Sequence, residues 1–291
     1  MTTSTVFNAG AYAEIDELMY HSGGFGPPGG SLSSTGAKRI LEAPAVYRWH
    51  QLNQEPPKKA YDFGHIVHAE VLGIGLDVVE IPEEYLASNG AASTKLAKEF
   101  MADARANGDI PVKPGELEEP CAVAAAVLAD PLARTYFENG TPEQSIFAQD
   151  PETGIWMRGR LDWTKQDGTL VDLKTTASNA SQAEFSREAA KLEYGVQREF
   201  YRHIWTQITG ETDPDFVHVV VSKKPPYLVG VYTLDIEFEL IGQAKVRRAL
   251  DAYAECVETG VWPGYAPELT TVGPPAYYVY AEEDQEEMEV N

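Results

Sequence analysis

Apolar positions in the first half of the chain recur every three or four residues, the repeat of a helix with one buried face. SSTGAKRILEAPAVYRWHQL (33–52) reads as two short helices parted at Pro44, which lacks the N–H an unbroken helix needs. AYDFGHIVHAEVLG (60–73) sets Gly64, His68 and Leu72 on one helical face at i, i+4 and i+8. STKLAKEFMADARANG (93–108), which stops at Gly108, and ELEEPCAVAAAVLAD (116–130) carry the same period. Ahead of them, SGGFGPPGG (22–30) is too rich in glycine and proline for a regular element and reads as a loop.

The pattern then changes. EQSIFAQD (143–150), GIWMRGRLDW (154–163) and TLVDLKTT (169–176) read as three strands, with turn signals PETG and QDG between them. A helix is predicted from Ser181, with Glu184 in capping-box spacing, running to Ile208 before Gly210. DFVHVVVS (215–222) and YLVGVYTLD (227–235) predict two more strands, and FELIGQAKVRRALDAYAECVETG (238–260) a long closing helix. This order implies an α/β (α+β) fold, a central mixed sheet of about five strands flanked by helices, with a helical N-terminal elaboration. The expected division is an N-terminal segment and loop (1–30), one domain (31–280; helical part 31–140, core 141–265) and a disordered tail (281–291).

Composition narrows the class. Of 291 residues, 43% are hydrophobic and 23% charged, the balance of a globular chain of one large domain. No apolar run reaches the length of a membrane span, and the N-terminus lacks a secretory pattern. Two distant cysteines, Cys121 and Cys256, suggest a reducing compartment, so the cytoplasm is expected; they also rule out a four-cysteine zinc or iron–sulfur site within one chain. The net charge of -22, partly from the tail AEEDQEEMEVN, argues against indiscriminate attraction to nucleic acid or anionic lipid.

Against that background, GRLDWTKQDGTLVDLKTT (159–176) stands out, because Asp162 and Asp172 sit in strand-like apolar surroundings where a carboxylate is costly. A two-residue loop at Asp167-Gly168 would send the two aspartates to opposite faces. A three-residue loop, Gln166-Asp167-Gly168, pairs Lys165 with Thr169 and sets Asp162 opposite Asp172; it wants glycine last, where Gly168 stands. Lys174 shares the face of Asp172, while Val171 and Leu173 point away. Opposed carboxylates beside an ammonium suit Mg²⁺ or Mn²⁺. The same residues could also make a surface hairpin with a cross-strand salt bridge.

The ordered set GHIVHAEVLG (His68), PEQSIFA (Glu143), GRLDW (Asp162), VDLKTT (Asp172, Lys174) and YGVQREFY (Gln197, Tyr201) resembles the RecB-type branch of the PD-(D/E)XK nucleases, and within it the RecE-type (exonuclease VIII) recombination exonucleases of phages and prophages. SLSSTGAKRI, APAVYRWHQ and VWPGY extend the likeness from about Tyr20 to Tyr265. The resemblance implies a PD-(D/E)XK core and a two-metal phosphodiesterase. Asp162 and Asp172, with the Leu173 carbonyl, Glu143 and His68, would hold two Mg²⁺ or Mn²⁺ ions. Lys174 would orient or help deprotonate the attacking water and offset transition-state charge. Gln197 and Tyr201, one helical turn apart, would position substrate or water. It further implies a DNA exonuclease working inward from duplex ends, 5′→3′, whose product serves a single-strand annealing recombinase. A structure-specific or CRISPR-associated-type endonuclease and a silent DNA-binding module of the same fold are the alternatives.

Contacts to DNA then need clustered cations. Lys38 and Arg39, Lys58 and Lys59, Arg158 and Arg160, Arg198 and Arg202, and Lys223 and Lys224 are the candidates. Arg158 and Arg160 share the Asp162 face by strand period. Ser33, Ser34 and Thr35 open a helix and could seat a terminal 5′-phosphate, or simply cap it. His65 is the nearest rival to His68, and His21, His50, His203 and His218 read as structural or surface residues. Glu143 competes with its neighbours, since a one-residue slip would turn its face. The acidity suggests segregation of charge, and the resemblance a closed homo-oligomeric ring, a trimer or tetramer, with Arg158, Arg160, Arg198 and Arg202 lining its channel.

Overall fold

In a computed structural model of the chain, which describes residues 7–13, 15, 19–20, 25–53, 59–265 and 268–276, the change of period near residue 140 marks the start of the main sheet. The expected acidic tail, His21 and Lys58 lie outside the described residues. The five strands expected from alternation are present as β5 (Gly140–Gln149), β6 (Trp156–Lys165), β7 (Leu170–Thr176), β8 (Phe216–Ser222) and β9 (Val229–Tyr232), paired in that order. Two short strands widen the sheet to seven among the described residues. β1 (Gly10–Tyr12) runs antiparallel to β5, and β2 (Leu32–Ser33) parallel to β6. Among the five long strands the β7–β8 pair is parallel and the other neighbours antiparallel, so the sheet is mixed. A separate pair, β3 (Val78–Glu80) and β4 (Ile110–Val112), was not legible in the pattern.

The helices fall close to their predicted limits. α1 (Ser34–Glu42) is capped by Ser33, whose Oγ accepts from the Gly36 N–H at 3.1 Å, and Pro44 opens α2 (Pro44–Leu52) at a first position that needs no N–H. α3 (Lys59–Leu72), α4 (Lys95–Asn107) and α5 (Glu118–Ala129) follow. Gly108 ends α4 at φ +90, a left-handed position that glycine adopts without strain.

The helix expected from Ser181 to Ile208 is two helices, α6 (Gln182–Lys191) and α7 (Tyr194–Thr209). The break is at Glu193, held at φ +57, with its carboxylate gripped by Lys245 at 2.6 and 2.7 Å. Lys245 belongs to α8 (Ile236–Thr259), so a long-range ion pair, invisible in local propensity, sets the break.

Two apolar layers sandwich the sheet. On one side Val196, Phe200 and Ile204 of α7 join Leu250 of α8, Ile40 of α1 and sheet residues Ile146, Met157, Leu161 and Leu170. On the other, Val67 and Val71 of α3 and Val123 and Val127 of α5 meet Val171, Leu173, Val219 and Val221. Leu170 thus faces α7 while Val171 and Leu173 face α3 and α5, so β7 is buried on both sides. A carboxylate and an ammonium on such a strand need specific partners.

Candidate functional site

The hairpin takes the longer of the two loops considered. Trp163 pairs with Val171 and Thr164 with Leu170; the Lys165 N–H donates to the Thr169 carbonyl at 2.9 Å, and Gly168 stands at φ +92. Continuing this register sets Asp162 opposite Asp172. The ladder between β6 and β7 does not continue, however. The Leu173 N–H donates instead to Asp162 Oδ2 at 2.7 Å, so a side chain replaces the partner strand and the two strands fork. The expected close cross-strand facing of the two carboxylates is corrected by this fork.

β5 and β6 are irregular at the same level. Pro142 pairs with Trp163 and Gln144 with Leu161, which places Glu143 opposite Asp162, yet Glu143 lies at φ +47. Leu161 packs into the α7-side core and Trp163 against the α3-side core, so alternation reverses across Asp162. Of the neighbouring acidic and amide side chains, Glu143 is the one brought toward His68 and Asp162. One ligand atom each from His68, Glu143 and Asp162 lies within 4.8 Å of the others, with His68 Nδ1 3.7 Å from Asp162 Oδ2. His68 comes from α3, whose Gly64 brings the helix close to Thr175 of β7, while His65 is exposed.

Asp172 and Lys174 lie on the α7 side of the fork. Asp172, 3% exposed, accepts through Oδ1 from Lys174 Nζ at 2.9 Å and Gln197 Nε2 at 3.0 Å. Lys174 Nζ also donates to Gln197 Oε1 at 3.2 Å and lies 4.9 Å from the centre of the Tyr194 ring. Asp172 Oδ2 is buried without a hydrogen bond; Lys174 Nζ is 2.8 Å away but poorly aligned for one. Tyr201 sits one turn beyond Gln197, and burial pushes its hydroxyl up to about 12, beside Ser34 and Gln197. Gly159 lets it in, since a Cβ there would lie 2.8 Å from the Tyr201 ring.

The electrostatics suit the binding of a cation. Burial first, then the charges of Asp172 and Glu143, raise the Asp162 carboxyl well above the usual range. Burial pushes Asp172 up, but Lys174 together with His218 and His68 outweighs it and holds Asp172 low. The two aspartates in turn overcome the burial of Lys174 and keep it an ammonium. Burial, with Lys174 nearby, lowers His68 to about 4, leaving a neutral imidazole able to ligate a metal. The carboxylates of Glu143, Asp162 and Asp172 and a neutral imidazole fit a hard divalent cation such as Mg²⁺ or Mn²⁺.

The expected cationic contacts divide. Lys38 adjoins the site: its ammonium donates to the Leu192 carbonyl at 2.7 Å, and burial, with Lys174 beside it, lowers its pKa to about 8. From Lys38 a groove of about 600 Å³ runs past Glu193, Lys245 and Arg248 between α1 and α8. Arg39 lies in the last turn of α1, Ser33 is its cap, Ser34 is buried and Thr35 exposed. Arg158 and Arg160 both stack on Tyr20, at 5.5 and 5.4 Å from the ring centre, and Arg160 Nε binds Glu143 Oε2 at 2.5 Å. Lys223 covers the Phe63 ring at 4.7 Å and Lys224 is exposed.

Arg198 and Arg202 depart from expectation. Both are buried at the α7–α8 contact, where Arg198 pairs with Glu239 at 3.2 Å and Arg202 with Glu199 at 3.1 Å, Glu239 at 3.0 Å and Asp213. They pair with Glu199 and Glu239, and Arg202 lines, with Asp213 and Glu239, a cleft of about 530 Å³ whose walls include none of His68, Glu143, Asp162, Asp172 and Lys174. The sequence reading also missed Tyr194, whose ring carries Lys174 and which lies just past the unforeseen helix break.

Residues 33–272 match the family model described as a PDDEXK-like domain of unknown function (DUF3799). Among solved structures, the chain is similar to a crystal structure from Eubacterium rectale named "Putative exonuclease", with a TM-score of 0.60 and 14% identity, covering 92% of this chain and 98% of that one. At that identity the likeness concerns the fold. No curated protein matches the chain.

Proposed function

Because the chain belongs to the family of PDDEXK-like domains (DUF3799), we propose that it is a divalent-metal-dependent DNA exonuclease. It would degrade linear duplex from its ends, 5′→3′, and leave single strands for recombination by annealing. The observation that carries this reading is the convergence of His68, Glu143 and Asp162 within 4.8 Å at the β6–β7 fork, with the bonded pair Asp172 and Lys174 on its α7 side. The RecE-like order of His68, Glu143, Asp162, Asp172, Lys174, Gln197 and Tyr201 supports the narrower assignment to recombination exonucleases.

Two Mg²⁺ or Mn²⁺ ions held by His68, Glu143, Asp162, Asp172 and the Leu173 carbonyl would supply Lewis-acid activation of the phosphate and a water of lowered pKa. The chain's own residues do the rest. Lys174, kept charged by its two aspartates, offsets negative charge growing on the phosphoryl oxygens. Gln197 braces Asp172 and Lys174 at once and so fixes their spacing. Tyr201 stays protonated and holds Ser34 and Gln197 in place. Lys38 and the groove beside it would follow the strand's phosphates.

The test uses linear duplexes labelled separately at each 5′ and 3′ end, with and without a 5′-phosphate, incubated with Mg²⁺ or Mn²⁺. Release of 5′ label as mononucleotide or short fragments, abolished by EDTA, with circular duplex resistant, is expected. Equal cutting of circles would replace the reading with an endonuclease, and binding without cleavage with a silent DNA-binding module.

A further inference from the structure

His218 is the one fully buried histidine among those described, at 0% exposure, and neither of its ring nitrogens has a hydrogen-bond partner. Its surroundings are aromatic, with ring centres of Phe216, Phe185 and Tyr194 at 5.0, 5.3 and 6.1 Å. Packing alone would favour phenylalanine there, because an imidazole left unpaired in the interior carries an unrepaid desolvation cost. The ring offers an N–H to any acceptor within reach.

The neighbour that would use the N–H is beside it. β7 and β8 run parallel with Asp172 and His218 as Cα partners, so both side chains leave the same face of adjacent strands, about 4.8 Å apart. Asp172 Oδ2 is buried with no directed hydrogen bond and has the Lys174 ammonium 2.8 Å away. A buried ring without a partner and a buried carboxylate thus stand on paired residues. A carboxylate oxygen accepts from more than one direction, so Oδ2 can take a bond from His218 beside the Lys174 ammonium.

We propose that His218 is a positioning residue for Asp172, donating a ring N–H to its carboxylate, directly or across one buried water, and so holding it in place for the metal site. The inference rests on the proposed metal site. Lys174 spans both carboxylate oxygens, at 2.9 and 2.8 Å, and Gln197 donates to Oδ1, so His218 would brace the carboxylate from a further side.

The experiment is calorimetric titration of Mn²⁺ into the parent, His218→Phe and His218→Gln, with thermal unfolding of each. In His218→Phe the unfolding midpoint should hold or rise, as an aromatic ring joins the box, while Mn²⁺ affinity falls about 10–100-fold. His218→Gln, which returns an N–H, should stay within a few-fold of the parent. If His218→Phe binds Mn²⁺ as the parent does, or His218→Gln loses as much as His218→Phe, the positioning role is overturned. Should His218→Phe not fold, His218→Leu is read in the same way. A parent that binds Mn²⁺ and cleaves DNA while His218→Phe binds equally well overturns this inference alone; a parent that binds no Mn²⁺ overturns both it and the proposed function.

Discussion

Glu143 is held at φ +47, a conformation that costs a glutamate on the order of 1–3 kcal/mol, and it persists because Arg160 and the paired strands on either side over-determine it. That strain turns the carboxylate toward Asp162 and His68, so it is spent at the site and nowhere else in β5. Two substitutions separate chemistry from metal binding. Lys174→Ala should lower the rate on the order of a hundredfold or more, with DNA binding kept, because it removes charge needed only as the phosphoryl group reacts. His68→Ala should fail chiefly at limiting metal and recover with excess Mn²⁺, while His65→Ala changes little. Steady-state cleavage across a metal titration checks both; near-normal rates in Lys174→Ala would remove its assignment. Asp162, Asp172 and Lys174 were legible because a hairpin is local, and Gly168 betrays its loop. Arg198 and Arg202 read as free cations because Glu239, on another element, leaves no mark beside them in the sequence, although Glu199, three residues before Arg202, was a local sign of pairing.

At the scale of elements, one carboxylate fastens the sheet to two helices. Asp150, fully buried at the end of β5, accepts from Arg247 of α8 at 3.1 and 3.0 Å, from Thr153 N at 2.9 Å, and pairs with His203 of α7 at 2.9 Å. Burial would raise its pKa, but Arg247, Thr153 and His203 together hold it far below the usual carboxylate range. The unfolded chain, near 3.9, therefore takes up the proton first as the pH falls. Stability from Asp150 is full above about pH 4 and is lost progressively below it. Asp150→Asn should cost about 3 kcal/mol at pH 7 and flatten the loss of stability between pH 5 and 3. Urea midpoints at each pH measure this, and a variant that parallels the parent throughout would show the cluster to be idle. Periodicity found the longer strands and the helices of this frame but not β1, β2, β3 and β4, each too short to establish a period. The break at Glu193 escaped because no glycine or proline marks it; Lys245, fifty-two residues on, makes it.

For the whole molecule the governing number is the net charge of -22, since a monomer this acidic gains little from phosphate contacts at physiological salt. With Arg198 and Arg202 buried, the cations near the site reduce to Lys38, Arg39, Lys245 and Arg248, with Arg158 and Arg160 partly committed to Tyr20 and Glu143. Retention on DNA therefore needs something besides attraction, and enclosure by identical subunits would provide it. The start of α8 offers a contact: Ile236, Leu240 and Ile241 are exposed on its first turns, an apolar cluster unusual in a surface otherwise rich in acid. We propose a closed homo-oligomer, a trimer or tetramer, that buries this cluster. Light scattering at micromolar protein should give a discrete multiple of the chain mass. Leu240→Glu should dissociate it and convert processive digestion to distributive when trap DNA is added, with the cleavage step itself intact, because Leu240 touches no site residue named above. If the parent is monomeric and already distributive, or if Leu240→Glu leaves mass and processivity unchanged, α8 is not the contact and the acidity must serve another end.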